Sequence, residues 1–450
     1  PCDCTSGAAT SATEPAAVGV GASVGINVAV NTTVAEIGDG AVFSGAKDVG
    51  LTAKGTHTLT TAATGGAAGA DISVTPVAAI TVAANTTTAR LGTGSLATLS
   101  GAFTGSAEQM STTTSTATGQ TQGNNVAVGA SIALNSATDT VLAEIDRNVT
   151  ATGDVGVNAK SMARSGASAT ASVSGGEKST DTGAPPAKPD GSAGATVDEK
   201  VTAQGAAAKD AGKKTAEKAA AGSPTAAGLA AAAASSDPDT KKAAQTAADK
   251  SPAAAGPAVA AASNDSKTKV EQTKDAPKTE ETTESGGVAV AAAVGVNVGI
   301  ATTTASVGKG RTITSTNGAL KVTSANETDT SAKADGSQVD PGSTSVGVGA
   351  AVALNAGIST NVAAVGDDAV VNTKGLTISA VNVTGQASDS KAEATSGAGA
   401  GDVGVAGSLA ANVAINTTVA VLAGDAASGG NGTGAVANAN DGDILIEAGR

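Results

Sequence analysis

The side chains able to do chemistry are few and scattered. His57 is the single histidine, so a Ser-His-Asp triad could be built only around it, and no Gly-X-Ser-X-Gly elbow accompanies it. It reads as a solvated loop residue. Asp39-Gly40, Asp367-Asp368 and Asp441-Gly442-Asp443 could hold calcium in turns, although the nine-residue Gly/Asp repeat of toxin-type calcium coils is missing. Cys2 and Cys4 stand alone at the N-terminal end, with no partner cysteine or second histidine for a metal site or disulfide framework. The glycines from Gly19 to Gly25 have the wrong spacing for a dinucleotide loop and recur within a strand pattern with no helix after it. Thr32, Thr33, Thr86, Thr87, Thr88, Thr417 and Thr418 form the most site-like set. Read as turn residues, they could offer hydroxyls to a glycan or to ice, or simply satisfy the turn backbone and ladder between coils; as an array they break at Asp139 to Val141 and at Ser359 to Val362. No catalytic, cofactor-binding or metal-binding residue is assigned, and the expectation is a non-enzyme: sugar-cleaving sites want aromatic platforms and convergent carboxylates.

What positions these residues is a repeat. The phrase VGVGASVGINVAVN from Val18 returns near Asp71, Asn124, Gly287, Ser345 and Asp402. Aligning Asn31, Asn85, Asp139, Ala301, Ser359 and Asn416 gives spacings of 54, 54, 162, 58 and 57 residues. The long interval reads as one repeat plus about 107 residues of foreign sequence. Within a repeat, apolar and small residues alternate at a period of two, the signature of a strand. Val18, Val20, Ala22, Val24, Ile26, Val28 and Val30 share one face, read as the core; Gly19, Gly21, Ser23, Gly25, Asn27 and Ala29 share the other, nearly bare backbone. A second element (Val34 to Ile37) runs into Gly38-Asp39-Gly40, and a third, Asp48 to Lys54, recurs as Asp154 to Lys160 and more loosely at Ala319, Gly375 and Asp443. These features predict an all-β parallel β-helix (β-solenoid) of about six repeats of 54–58 residues. Two or three coils per repeat would make a rod on the order of 60 to 90 Å long.

Composition sets the limits. Trp and Tyr are absent and only two Phe occur among 450 residues, so Ala, Gly, Val, Thr and Ser must do the packing. A net charge of −13 excludes the basic clusters that nucleic acid or anionic membrane would need. Ala16 to Ala35 and Gly287 to Gly308 are uncharged for twenty residues or more, but their two-residue period and the lack of aromatic girdles argue against a membrane span of either kind. Near-absence of cysteine suits a protein that folds after export, and the lack of an initiator Met and of a signal-peptide pattern reads as a piece of something longer. The Asn-X-Thr triplets, at Asn31, Asn85, Asn148, Asn326, Asn382, Asn416 and Asn431, arise easily by chance in a Thr-rich chain.

The organisation that follows is an N-terminal tail (1–15), solenoid repeats 1–3 (16–179), an Ala/Lys/Pro-rich helical or flexible insertion (180–286) and solenoid repeats 4–6 (287–450). The insertion holds 8 of the 12 prolines and no arginine. Thr196 and Glu199 read as a capping box, and Ser223-Pro224, Asp237-Pro238 and Ser251-Pro252 as fresh helix starts. A partner-binding arm, a spacer and a disordered loop all remain open for it.

VGVGASVGINVAVNTTVAEIGDGA and DVGLTAK resemble the tandem repeats of very large bacterial surface proteins, the leukotoxin-like filamentous adhesins and related autotransporter passenger regions. The likeness covers everything but the insertion. It implies export by a Gram-negative-type route to the cell surface or beyond, a β-solenoid stalk, and attachment to cells, surfaces or sibling filaments. Partners would be neighbouring repeats of one long chain or other copies of it. The runner-up reading is a recognition module for a repetitive ligand such as glycan or ice.

Overall fold

A computed structural model describes residues 2–10, 17–69, 71–123, 125–174, 287–338, 345–400, 402–423 and 434–449. The features expected within the insertion lie outside these residues. Strand β1 (Cys2–Thr10), within the stretch read as a tail, pairs with the first coil. Coil 1 holds β2 (Val18–Val20), β3 (Ser23–Ile37) and β4 (Val49–Gly69). Coil 2 holds β5 (Ile72–Leu91), β6 (Ala97–Leu99) and β7 (Phe103–Gly123); coil 3 holds β8 (Val126–Ile145), β9 (Val149–Ala151) and β10 (Val155–Ser174). Coil 4 holds β11 (Val288–Val307), β12 (Thr312–Ser315) and β13 (Leu320–Gln338). Coil 5 holds β14 (Val346–Val365), β15 (Val370–Asn372), β16 (Leu376–Asn382) and β17 (Ser390–Gly397), and coil 6 holds β18 (Val403–Leu422), β19 (Val436–Asn438) and β20 (Ile444–Ala448).

Every pairing is parallel and joins like strands of successive coils, so the chain is an all-β parallel solenoid with three sheets. Sheet A runs β1-β4-β7-β10-β13-β16-β20, sheet B runs from β2 and β3 through β5, β8, β11 and β14 to β18, and the short sheet C runs β6-β9-β12-β15-β19. Coil 3 stacks directly on coil 4, with Asn135 opposite Asn297 and Val155 opposite Leu320. The 162-residue interval is therefore a single step of the stack.

One repeat makes one coil, not two or three. Most strands of sheets A and B run for about 20 residues, roughly 65 Å, while six coils at about 4.8 Å each rise only about 29 Å. The expected slender rod is instead a broad slab. The reason lies in the turn chemistry: the Asn-Thr-Thr phrase carries no left-handed residue, whereas the corner after sheet B does, at Gly40, Gly310 and Asp368. Asn31-Thr32-Thr33 accordingly lies inside β3 and Asn85-Thr86-Thr87 inside β5, and Val34–Ile37 is the end of β3 rather than a separate element.

The inside and outside of sheet B also differ from the expectation. Gly19, Gly21, Ser23, Gly25, Asn27 and Ala29 point inward, and Val24, Ile26, Val28 and Val30 are 58–77% exposed. The interior tapers, and that taper decides the matter. Where the three sheets meet, large side chains fill a triangular core around Leu91, Phe103, Ile145, Ile313, Leu320 and Leu376. Farther along, sheets A and B lie against each other with an apolar layer that is alanine except for Val77, including Ala79, Ala133, Ala169, Ala293 and Ala334. At the far edge a methyl group on Gly21 would collide with the Gly66 carbonyl, and within the alanine stretch one on Gly295, in the rank of Ala79 and Ala133, would collide with the Lys333 carbonyl. A valine face does not fit a gap of that width, so it turns out.

Candidate functional site

The repeat lines up equivalent side chains in ranks, and the ranks are what the slab offers for function. Two ranks are interior. Asn135 Nδ2 donates to Asn297 Oδ1 at 2.8 Å, Asn297 Nδ2 to Asn355 Oδ1 at 2.9 Å, and Asn355 Nδ2 to Asn412 Oδ1 at 2.8 Å. Each amide thus joins two coils, and Thr113, Ser165, Thr330 and Ser390 on sheet A add further bonds. Such a ladder pins register, because a slip by one residue would bury Val where Asn belongs. The second interior rank contains all six residues used to align the repeats. Asn31 Nδ2 donates to Asn85 Oδ1 (2.7 Å) and Asn85 Nδ2 to Asp139 Oδ1 (2.9 Å), which also accepts Gln109 Nε2 at 2.6 Å. Asp139 is a carboxyl in an asparagine position, and burial pushes its pKa up to about 6 against the opposing pull of the Asn85, Ser111 and Gln109 bonds. These roles are structural. Asn85 and Asn326 are buried at 1% and 2% exposure, so their Asn-X-Thr triplets are not accessible for modification.

His57 is not a loop residue. It lies in β4 facing inward, opposite Ser111 of the next coil, and burial lowers its pKa below the ordinary imidazole value. Asp139 lies close by, accepting Gln109 Nε2 at 2.6 Å from a residue two positions before Ser111 on β7. Serine, histidine and aspartate thus meet in the interior, but Ser111 is 1% exposed and sits between the other two. A nucleophile needs the imidazole in the middle and a path for substrate.

The corner after sheet B carries the charge. Arg147 is 1% exposed and its guanidinium donates to four carbonyls, those of Gly92 (2.5 Å), Ala41 (2.7 Å), Gly38 (3.1 Å) and Thr93 (3.1 Å), while lying 5.8 Å from the Phe43 ring centre. One side chain therefore ties the corners of three coils. Asp39 accepts Thr93 N, Thr93 Oγ1 and Arg90, bonds that hold its pKa below the usual carboxylate value, and Asp368 faces Lys309 at 3.6 Å. Two of the three aspartate turns proposed for calcium thus have their charge met by the protein, and the described residues contain no group of three His, Cys, Asp or Glu that could hold a metal.

Two exterior ranks on sheet B are unbroken. Val20, Val74, Val128, Val290, Val348 and Val405 pair in sequence along the stack. So do Thr32, Thr86, Thr140, Thr302, Thr360 and Thr417. The breaks expected at 139–141 and 359–362 fall on inward neighbours, Asp139, Val141, Ser359 and Asn361, and leave this outward rank complete in residue type, although Thr140 within it is only 3% exposed. The threonines singled out in the sequence divide into those facing out (Thr32, Thr86, Thr88, Thr417) and those facing in (Thr33, Thr87, Thr418), a division that reading them as turns obscures. The strict period of two held that information once the phrase was taken as strand throughout.

The outer face of sheet A is of another kind. Lys54, Glu108 and Lys160 form one rank and Thr58, Thr112, Arg164 and Asp329 another, with Lys54 to Glu108 at 3.2 Å and Arg164 to Glu327 at 3.0 Å. Fold and surface together define a three-sheet parallel β-solenoid with one polar and one apolar broad face. No helix among the described residues is long and apolar enough to cross a membrane. No protein-family model, curated protein or solved structure matches the chain.

Proposed function

We propose that the chain is a non-catalytic structural module of an extracellular bacterial stalk, adhesin or filament, whose stacked coils form a scaffold for surface attachment or assembly. The supporting observation is that the two outermost strands of sheet B are interchangeable. Asn412, Asn416, Thr417 and Val405 on β18 occupy the same ranks as Asn27, Asn31, Thr32 and Val20 of coil 1. A further coil laid on either edge, from the same long chain or from another copy, would extend both asparagine ladders and satisfy the edge backbone groups. The resemblance to giant adhesin repeats points the same way. Electron microscopy of the purified chain across a concentration series, together with a head-to-tail fusion of two chains, tests this. The fusion should give one continuous body twice as long along the stacking axis. Two independently oriented bodies at every concentration would refute the stalk reading.

A second reading is favoured by the unbroken threonine rank: a module that recognises a periodic ligand such as a glycan or an ice surface, with hydroxyls repeating every 4.8 Å or so. Replacing Thr32, Thr86, Thr360 and Thr417 together by Val should abolish retention on such a ligand while leaving the far-ultraviolet spectrum unchanged. Unaltered retention would remove the threonine rank from consideration.

A further inference from the structure

We propose that the outer face of sheet B is an interface between two copies of this chain, packed face to face about a two-fold axis. This concerns the broad face rather than the stacking edges, and so stands apart from the stalk reading. Between the rank of Val18 and the rank of Val30, every outward position on the six strands is uncharged, and Ser136 and Thr138 are the only hydroxyl side chains. Six strands spaced about 4.8 Å apart and 13 residues at about 3.3 Å give a face of roughly 1,100 Å². As a footprint it compares with the roughly 800 Å² per partner that a stable interface buries, and its accessible part lies chiefly over coil 1, where Val18, Val20, Val24, Ile26, Val28 and Val30 are 55–77% exposed, whereas Leu134, Val290 and Ile358 farther along the stack are 6–8% exposed.

Chemistry and shape select the occupant. The chain carries a net charge of −13, which opposes association elsewhere on its surface, but none of that charge lies on this face. Its side chains are short and mostly β-branched. The Val20 rank is the same residue in all six coils and the others vary among small and branched side chains, as in Val24, Ala78, Ile132, Val294, Val352 and Leu409, so ranks alternate with shallow furrows running along the stack. The furrows of one such face accept the ranks of another, and two flat sheets can then close at about 10 Å. A two-fold arrangement lets the same patch serve both partners. Val24, Ile26, Val28 and Val30, more than half exposed in coil 1, are the side chains with most to gain.

Sedimentation velocity on the full chain, from about 1 to about 100 µM, is the test, with Val28→Lys plus Val82→Lys as the disrupting variant. Both positions are exposed, at 66% and 42%, so the coil should survive the change, and far-ultraviolet dichroism checks that it does. Val413→Lys, on the opposite edge coil, is the second variant, and Thr58→Lys on the outer face of sheet A is the control. The expected result is a dimer whose dissociation constant rises at least 100-fold in each sheet B variant and is unchanged in the control. A monomer throughout the range would overturn the proposal. So would association indifferent to both sheet B variants, which would assign it to the edges. If the monomer fails to bind anilinonaphthalene sulfonate until residues 180–286 are removed, the chain's own segment covers the face and the proposal is equally overturned.

Discussion

Replacing Asp139 by Asn should stabilise the protein at neutral pH and lose that advantage in acid. Asp139 is 2% exposed in the interior of β8, and its neighbours are neutral donors, Asn85 Nδ2 at 2.9 Å and Gln109 Nε2 at 2.6 Å. Burial raises its pKa from 3.8 to about 6. A carboxyl that binds its proton more tightly in the folded state favours folding fully below the unfolded pKa, and that benefit disappears as pH rises through the folded value. The window is therefore about pH 4 to 6, and a rise of this size corresponds to roughly 3 kcal/mol of penalty for the ionised form above it. In Asp139→Asn the amide oxygen would keep the acceptor that Asn85 and Gln109 use, as in the other asparagine rungs, and the amide nitrogen would add a donor close to Ser111. If that donor is poorly matched, about 1 kcal/mol is forfeited, which leaves a net gain of roughly 2 kcal/mol at pH 7.5. Guanidinium denaturation of both proteins at pH 4, 5, 6 and 7.5 reads the difference directly. Curves separated by the same amount at every pH, or a more stable wild type at pH 7.5, would refute the reasoning.

Asn297→Ala should cost roughly 2–4 kcal/mol, since it strands the Asn135 donor and the Asn355 acceptor in the middle of the ladder; urea melts check it. Arg147→Met should lower stability by about 3 kcal/mol or more by orphaning four corner carbonyls, and hydrogen exchange should rise first in the corners around Gly38 to Ala41 and Gly92 to Thr93. Gly295→Val should be far more damaging than Val294→Gly: the first drives a side chain into the Lys333 backbone, while the second trims a half-buried outer position. Comparing their thermal midpoints tests which face is inside.

The stacking order was readable because the repeat phrase and the rank are the same object. Asn31, Asn85, Asp139, Ala301, Ser359 and Asn416, aligned by similarity alone, fall on one interior line. The recurring third element likewise marks the start of each sheet A strand, with Val49, Phe103, Val155, Leu320, Leu376 and Ile444 in register. What failed was the choice of face and of coil length. Alternation fixes two faces without saying which is buried, and hydropathy nominated valine because a core of ordinary thickness was assumed. Sheets A and B approach too closely for that. The recurrence of Asn on the glycine face, at Asn27, Asn135, Asn297, Asn355 and Asn412, was the available hint, since an isolated exposed amide has no reason to repeat while a buried ladder does. Coil length went astray because Asn-Thr-Thr is turn-rich in composition, yet its side chains here bond between coils and leave the backbone extended. His57 falls in a strand rather than a loop because β4 runs for 21 residues, far beyond the short Asp48 to Lys54 element that the recurring phrase marks.

The claim on which the rest depends is that each repeat is a single coil. Spin labels at Thr32→Cys and Thr417→Cys, with Cys2 and Cys4 changed to Ser and the sample diluted with unlabelled chain, measure it by double electron–electron resonance. Thr32 and Thr417 end one rank of six paired strands. Five steps place their backbones about 24 Å apart, and the distance distribution should centre near that value once the label arms are allowed for. A distance of about 48 Å or more would mean two or more coils per repeat, and would contradict the slab, its ladders and its apolar face together.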